Sequence, residues 1–514
     1  MGNEMKQDMI SNLSSSIGRP TIAKKKISQL QRYIKPPSLS HRPTRAPRYV
    51  IIRMLTSPKS VRFTMEKREG FKVIVIGGGP VGLTAAQILT KACIDFVVLE
   101  RRDSVHPDEG AGIAIGPTTY RLLDQLDLLS HFDKIATPIN TKNVMTRDGQ
   151  LYNSYEFHMR EYHGRPIAFA HRHDILKTLY TTLPASAQER IKTSKRVTSI
   201  STAAEGVTVS CDDGSVETGS IVIGADGVHS KTRSCMAALA GFPAPIFPAA
   251  FQGLFGNVPR EKLPVETAPS DDWEAHSPNL SSQFFVGRER AWFIIYRPLP
   301  KPTTERVDYT DEHVKQFAED IKDLHLTPKL KFGEVFPHVN KAGMTLLQEG
   351  LVKTRTHGRI ALVGDAASKI TPNLGLGYNS GVLDVIVLIN HLRNALLAKG
   401  VSEEEKEGEI SEQELEKVFK AYEDDRRDLT AKVMASAEGV VRNHTWLNWL
   451  RKMFDRHLTP VMNLEAWYGK SIMGPVLGRQ PALDWVEEKN LLEGKIKWAV
   501  RPSQVPLAEV AVKV

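Results

Sequence analysis

A glycine-rich turn between two short apolar runs is the feature that most constrains how this chain can fold. Four β-branched residues, 73–76, lead directly into the sequence GGGPVG at residues 77–82. A helix-forming stretch follows, and a second apolar run, 96–99, ends at Glu100. Strand, glycine turn, helix, strand and terminal acid follow one another in this order in a dinucleotide-binding βαβ unit. The sequence therefore predicts a Rossmann-like domain.

Each glycine of this turn has a separate structural task. Gly77 permits the tight turn, Gly79 lets the backbone approach a pyrophosphate, and Gly82 allows the helix to pack closely on the strand. The N–H groups at the start of the helix favour phosphate. Glu100, 18 residues after Gly82, is placed to accept hydrogen bonds from ribose hydroxyls. We therefore expect these four residues to bind a dinucleotide cofactor.

Two further segments downstream combine an apolar run with a tight turn. The first, 220–227, ends in GADG and suggests a nucleotide-associated role for Asp226. The second ends in VGDAA at 363–367, where Asp365 is placed to bond a ribityl hydroxyl. The glycine-rich loop that follows opens a long helix, whose N–H groups favour negative charge on a reduced flavin. Together the three segments predict one bound FAD; the alternative for each later segment is a purely structural turn.

The net charge of +9 is concentrated at the N-terminus. Residues 1–70 carry 15 basic and 4 acidic residues, and the other 444 are close to neutral, so we expect no nucleic-acid partner. We interpret residues 1–70 as a disordered extension, or as an over-extended start before an initiator at Met65. A mitochondrial targeting segment is the alternative. The expected location is the cytoplasm.

Cysteine use and hydropathy set further limits. Cys93, Cys211 and Cys235 have no metal-ligand spacing, so we expect no metal site and a reducing compartment. No uninterrupted apolar run reaches the length of a membrane span, and residues 382–397 are interpreted as a half-buried helix on the nucleotide domain. Five tryptophans within residues 445–500 are expected to pack against the body of the protein.

The middle of the chain changes character. Two apolar runs, 283–287 and 291–297, predict strands joined by a charged hairpin, and a helix is expected over 310–323. This pattern indicates a sheet-plus-helix module that provides a substrate pocket. The fold class is therefore α/β (α+β overall), a Rossmann-like FAD-binding domain with an inserted substrate domain and a C-terminal helical segment. The expected boundaries are 1–70 for the extension, 71–240 and 351–435 for the FAD-binding domain, 241–350 for the substrate domain and 436–514 for the helical segment.

Over residues 70–435 the chain resembles the FAD-dependent aromatic hydroxylase superfamily, which has the para-hydroxybenzoate hydroxylase fold. Within it, the chain is most similar to the fungal paxilline-type FAD-dependent monooxygenases. The motifs that carry the resemblance are the glycine turn with Glu100, GAGIA at 110–114, HRHDIL at 171–176, GADGVHSKTR at 224–233, GDAASKITPNLGLGYN at 364–379, and Tyr422, Glu423 and Arg426.

The resemblance implies which residues contact FAD. These are Glu100, Ala114, Arg172, Asp365 and Tyr378.

Three positions depart from the pattern of the family. Tyr378 stands where a small residue is usual, Leu383 where an acid is common, and Phe251 where members often have tyrosine. If that tyrosine assists catalysis in relatives, its role here is missing or has moved. No catalytic side chain is therefore assigned.

The resemblance also implies the reaction. NADPH or NADH binds transiently and reduces FAD, which then uses O₂ to oxidise an electron-rich carbon of a small organic substrate. Epoxidation and aromatic hydroxylation both remain open, within fungal secondary metabolism. Two alternatives are a flavin-dependent halogenase, whose W-x-W-x-I-P stretch is not matched by residues 292–296, and a non-catalytic FAD-binding protein.

Overall fold

The structure is a computed structural model that describes residues 70–108, 111–399, 410–462, 464–490 and 492–502. The expected N-terminal extension, apart from Gly70, and Gly110 of the GAGIA motif lie outside the described residues.

A six-stranded sheet carries the glycine turn. Its strands, in spatial order, are Thr356–His357, Ile360–Leu362, Ile221–Gly224, Lys72–Ile76, Asp95–Leu99 and Ile191–Lys192. All neighbours are parallel except the first pair. Because a parallel sheet is covered on both faces, its strands are apolar throughout. The short Val/Ile runs of the sequence therefore indicate buried parallel strands. The Rossmann-like arrangement predicted from the sequence is confirmed.

Three helices provide much of the cover for this sheet. They are the glycine-loop helix Pro80–Lys91, the long helix Leu376–Lys399 and the closing helix Glu412–His444. Their apolar side chains form one continuous core with the sheet. Within the described residues, the stretch Leu376–Ala398 is long and apolar enough to cross a membrane by length and composition. Of its most apolar stretch, 61% is buried inside the protein, as in a core helix.

The structure also contains a second, seven-stranded sheet. Its strands, in spatial order, are Lys341–Gln348, Ala249–Pro259, Arg290–Thr303, Leu280–Val286, Asp271–Ser277, Thr141–Thr146 and Leu151–Glu156. The expected hairpin is present, since Leu280–Val286 pairs antiparallel with Arg290–Thr303. The expected helix spans Asp311–Asp320 and begins after the N-cap Thr310. Two strands of this sheet come from residues 141–156, before the expected substrate domain.

Smaller elements connect these layers. The remaining strands are Gly112–Ile115, Thr137–Pro138, Ala168–His171, Val197–Ala203, Gly206–Cys211, Val216–Gly219, His325–Thr327, Leu330–Lys331, Gly350–Leu351 and Ser368–Lys369. The remaining α-helices before the long helix are Pro117–Gln125, Leu129–Ile135, Met159–His163, Arg172–Thr181, Ala185–Gln188, Lys231–Leu239 and Phe332–Val335. Short 3₁₀ turns lie at Arg260–Lys262, Phe336–His338, Gly364–Ala366 and Pro372–Leu374.

Short helices within residues 449–462 and 464–478 follow the closing helix, and we call these residues the C-terminal strap. Its α-helical pieces are Trp449–Met453, Thr459–Met462, Leu464–Tyr468 and Gly474–Gly478, and its π-helical pieces are Phe454–Leu458 and Gly469–Met473.

The tryptophans of the C-terminal region do not all pack as expected. Trp446 and Trp498 are buried, and Trp485 packs against the core. Trp449 and Trp467, however, are 71% and 56% exposed, so the expectation is wrong for these two. Their apolar neighbours in the sequence do not imply burial, because these short helices leave several large apolar side chains exposed.

Candidate functional site

A cavity of about 1470 Å³ lies at the carboxyl edge of the six-stranded sheet. In parallel sheets, ligands bind at this edge, where successive strand ends meet. Eight of the nine residues expected from the sequence to bind the cofactor line it: Gly77, Gly79, Glu100, Ala114, Arg172, Asp226, Asp365 and Tyr378. Gly82 does not line the cavity. The structure thus brings together residues spread over 300 positions of sequence.

The glycine turn has the backbone geometry that its sequence requires. Gly77 has φ +104°, and a Cβ there would lie 2.6 Å from the Ala225 carbonyl oxygen. A Cβ on Gly82 would overlap the Gly77 carbonyl oxygen, so Gly82 serves helix packing. A Cβ on Gly79 would have no protein atom within 4 Å. The backbone at Gly79 is therefore open to the cavity, at the start of a helix whose first turn carries no acid.

Glu100 lies beside this turn and is buried. Its Oε2 accepts a hydrogen bond from the Gly78 N–H at 2.6 Å, and its Oε1 accepts one from the Arg102 N–H at 2.9 Å. Each carboxylate oxygen can accept a second bond. Glu100 therefore holds the turn and still presents acceptors to the cavity that it lines.

Glu100→Ala is expected to weaken FAD binding by about 1.5–3 kcal/mol, the value of a hydrogen bond to a charged group. Isothermal titration of the deflavinated protein with FAD measures this loss. Asp103→Ala is the matched control, because Asp103 is an exposed acid of the same loop. Equal FAD affinity of the two variants would contradict a cofactor role for Glu100.

Asp226 is held by local hydrogen bonds. One of its carboxylate oxygens accepts from the Ser230 hydroxyl, and the other accepts from the Thr232 N–H and hydroxyl, both at 2.9 Å. The Arg233 guanidinium donates to three backbone carbonyls, including that of Ala366 at 3.0 Å. The GADG segment is thereby tied to the VGDAA segment at the cavity floor.

Asp384, a buried acid that was not identified from the sequence, holds the VGDAA segment in place. The Asp384 carboxylate accepts from the Gly364 N–H at 3.0 Å, from Arg355 at 3.0 Å and from Arg426 at 2.7 Å. Asp384 is fully buried, and both arginines are at most 3% exposed. On the cavity side, the Asp365 carboxylate pairs with Lys369 at 2.6 Å.

Ala114, Arg172 and Tyr378 are brought to one side of the cavity. The Tyr378 hydroxyl lies 3.1 Å from the Thr84 hydroxyl on the glycine-loop helix, and burial raises the pKa of Tyr378 to about 12. Asn379 donates to the Ala114 carbonyl at 2.9 Å. Arg172 begins the helix Arg172–Thr181 and lines the cavity.

A network of buried charges lies on the opposite wall. Glu274 is fully buried and pairs with Lys142 at 2.6 Å. Gln283 donates to Glu274 at 2.5 Å and accepts from the Tyr296 hydroxyl at 2.6 Å. Lys142, Gln283 and Tyr296 all line the cavity, so the network reaches its surface.

His276 joins this network to the C-terminal strap. Its Nε2 lies 3.1 Å from Glu274, and its Nδ1 lies 2.9 Å from Asp455. Its ring stacks on that of His444 at 3.9 Å between centroids, and His444 lies 3.4 Å from Glu274. The two histidines and Glu274 have the spacing of a metal-ligand group, but the ion pair with Lys142 and the hydrogen bonds already account for it.

The two stacked histidines have opposite protonation states. Burial favours neutral His276, but Asp455 and Glu274 outweigh it and raise its pKa to about 9. Burial and the neighbouring positive charge of His276 lower the pKa of His444 to about 3. At neutral pH the network therefore holds a charged His276 and a neutral His444, which lines the cavity.

We expect stability to fall on both sides of neutral pH. His444 titrates near 3 when folded and near 6.5 when unfolded, so its contribution is lost as pH falls from about 6.5 towards 3. His276 titrates near 9 when folded, so its contribution is full below about 6.5 and is lost as pH rises through 9. The Tm measured against pH checks both limbs.

His444→Gln is expected to flatten the acid limb of that curve, and the exposed control His457→Gln to leave it unchanged. An acid limb of equal slope in both variants would contradict the assignment to His444.

The cavity wall between the sheet and the strap is largely apolar and aromatic. It includes Ile139, Phe157, Phe169, Phe255, Phe285, Trp292, Phe293, Phe454, Leu464, Trp467, Met473 and Leu477. Phe251, the position where the resemblance suggests tyrosine, is 1% exposed and packs with Tyr296, Leu347 and Val441. It does not line the cavity, whereas Tyr296 does.

The sequence comparisons identify the family of these motifs. Residues 70–437 match the family described as FAD binding domain. The chain is 33% identical to the FAD-dependent monooxygenase srdH of Neurospora crassa over 449 residues, which cover 84% of this chain and 98% of srdH. It is 30% identical to the FAD-dependent monooxygenase ausM of Penicillium brasilianum, covering 77% of this chain and 84% of ausM.

Solved structures with the same fold are more distant in sequence. Klebsiella pneumoniae HpxO, crystallised with FAD and uric acid, has a TM-score of 0.59 at 20% identity, covering 78% of this chain and 93% of HpxO. CtdE, crystallised with FAD and a substrate, has a TM-score of 0.60 at 17% identity, covering 74% of this chain and 90% of CtdE. These likenesses establish the fold.

Proposed function

Because the chain belongs to the FAD-binding-domain family of FAD-dependent monooxygenases, we propose that it oxidises a largely apolar small molecule bound between the seven-stranded sheet and the C-terminal strap. FAD is the cofactor and NAD(P)H the reductant of this enzyme. When bound, FAD supplies the oxygen-activating chemistry that places one atom of O₂ on the substrate. The monooxygenase names of the relatives favour this function over a halogenase or a non-catalytic flavoprotein.

The residues at the sheet edge fit FAD. The open backbone at Gly79 and the uncapped start of the glycine-loop helix suit a pyrophosphate. Gly77 and Gly82 shape that turn, and Glu100 is placed for a ribose. Ala114, Arg172, Asp226, Asp365 and Tyr378 complete the proposed cofactor contacts, with Asp226 acting through the turn that it braces.

The substrate side is assigned from its chemistry. Binding sites for small molecules are mostly apolar, with a few polar groups that fix orientation. Here the aromatic wall supplies the apolar surface, and Tyr296 and neutral His444 supply hydrogen-bonding groups. The single observation that carries the proposal is that this wall and the glycine turn line one continuous cavity. An apolar terpenoid or polyketide with one polar group suits it, in secondary metabolism; its oxidation is an epoxidation or a hydroxylation.

Domain organisation and location are parts of the same proposal. Residues 71–240 and 351–435 provide the cofactor side, 241–350 five of the seven strands of the substrate-side sheet, and 436–514 the helical segment. We place the enzyme in the cytoplasm. The mitochondrial alternative depends on the N-terminal extension, which lies outside the described residues.

The test is turnover of apolar candidates by purified, FAD-loaded protein. With NADPH and O₂, a true substrate is expected to accelerate NADPH oxidation and to yield a product heavier by one oxygen atom. Labelled O₂ identifies the source of that atom. If small polar aromatic compounds alone are oxidised, the proposed substrate class is wrong while the monooxygenase assignment stands.

A further inference from the structure

The C-terminal strap exposes an unusual amount of apolar side chain. Of the 17 large hydrophobic residues exposed in the described chain, 10 belong to the strap and lie within residues 449–472. The most exposed are Val461 at 84%, Trp449 at 71%, Met462 at 61%, Leu450 at 60%, Trp467 at 56% and Leu458 at 48%. Contiguous apolar patches on a folded protein mark interaction surfaces.

Five of these side chains lie on the outer side of the strap. Leu450, Met453, Leu458, Val461 and Met462 are exposed and do not line the cavity. The opposite side is fixed to the body through Asp455, which is buried against His276 and Trp446. The strap is therefore an anchored helix run with an apolar outer face.

The charge of the strap limits the kind of partner that can cover it. The strap and the residue that follows it, 449–479, contain five basic residues (Arg451, Lys452, Arg456, Lys470 and Arg479) and two acids. One of these acids, Asp455, is buried, so basic side chains dominate the accessible charge of this segment. Apolar side chains with tryptophan and flanking Lys/Arg are the composition of helices that lie in the headgroup region of anionic bilayers.

The chain's own N-terminal residues are a poor alternative occupant. Residues 1–70 carry 15 basic and 4 acidic residues, the same sign of charge as the strap. An anionic surface complements both segments, whereas one basic segment repels the other.

We propose that the C-terminal strap docks the protein on an anionic lipid bilayer, with its apolar outer face in the headgroup region. The inner side of the same strap forms part of the cavity wall through Phe454, Leu464 and Trp467. Docking thus places the cavity next to the lipid phase, from which an apolar substrate enters. The entry of substrate from the lipid rests on the proposed function, but docking does not.

The experiment is flotation of the full-length, FAD-loaded protein with vesicles of phosphatidylcholine and phosphatidylserine. The test variant is Leu450→Glu/Val461→Glu/Met462→Glu, three exposed positions outside the cavity wall. The matched control is Val216→Glu/Ile246→Glu, at 54% and 67% exposure elsewhere. We expect the vesicle-bound fraction to fall about tenfold in the test variant and to stay unchanged in the control.

A second variant tests charge without touching the apolar face. Lys470→Glu/Arg479→Glu is expected to weaken binding to phosphatidylserine vesicles, as is high salt, while FAD content stays unchanged. Failure of the wild type to float, or equal flotation of the Leu450→Glu/Val461→Glu/Met462→Glu variant, overturns the proposal. A wild-type dimer that this variant converts to a monomer would overturn it too, because a second copy would then cover the strap. None of these readouts depends on turnover.

Discussion

Asp384→Ala is expected to lower the free energy of unfolding by about 3–5 kcal/mol, the usual cost of removing one partner of a buried ion pair. The variant leaves the Arg355 and Arg426 guanidinium groups buried beside each other without the carboxylate that they share. It also removes the acceptor of the Gly364 N–H. Urea unfolding of the deflavinated protein, followed by circular dichroism, measures the change.

Asp425→Ala is the matched control for this prediction. Asp425 is an acid of the closing helix whose side chain is 58% exposed and paired with His391. Its loss is expected to cost less than about 1 kcal/mol. If Asp384→Ala does not fold, Asp384→Asn, which keeps the shape of the side chain, reports the same direction. A loss in either Asp384 variant no larger than the control's would show that the cluster does not hold the VGDAA segment.

Asp365→Ala is expected to reduce product formation about 100-fold, because small displacements of a reacting group cost rates of this order. The residue lies at the cavity edge of the VGDAA segment, where we propose that it positions the ribityl chain. Its side chain is 31% exposed, so folding is expected to change little. The signature is protein that retains much of its FAD and diverts NADPH oxidation to hydrogen peroxide.

Lys369→Ala separates the two roles that Asp365 could have. Lys369 is the ion-pair partner of Asp365, and a partly exposed pair contributes less than about 1 kcal/mol. If the carboxylate acts on the cofactor, Lys369→Ala is expected to change turnover by only a few-fold. Equal losses in the two variants would assign the effect to the ion pair.

The six-stranded sheet was predictable because its signals are local. Lys72–Ile76, Asp95–Leu99 and Ile221–Gly224 are buried on both faces, so each appears as a continuous apolar run that ends in glycine or an acid. The positions of Gly77 and Glu100 at the sheet edge follow from that order along the chain. The hairpin of the second sheet was predictable for the same reason.

The buried charge network could not be found this way. Asp272, Glu274 and His276 alternate along one strand, and a polar alternation normally predicts a solvent-facing side. Here that side is covered by His444 and Asp455, more than 160 residues later in the chain. Nothing in the local sequence distinguishes a polar face that is covered by other residues from one that is exposed to solvent.

The C-terminal strap was misjudged for the opposite reason. Its tryptophans were expected to be buried, since large apolar side chains usually are. That rule describes average burial, and Trp449 and Trp467 are exceptions to it, at 71% and 56% exposure. The irregular spacing of Trp449 and Trp467 was the available signal, but it does not distinguish a packed surface from an exposed one.

The strand order of the six-stranded sheet has a consequence for how the protein is made. Val73 pairs with Ile221, and Val222 with Ile360, so neighbouring strands are synthesised well over a hundred residues apart. Contacts of such long range slow folding, and a growing chain exposes unpaired strand edges until its partners arrive. Asp384 and Arg426, which hold the VGDAA segment in place, are synthesised later still. In a nascent chain the glycine turn is therefore present through most of translation, before the segments that complete the cavity have been synthesised. We expect C-terminally shortened forms to aggregate, because their strand edges stay unpaired.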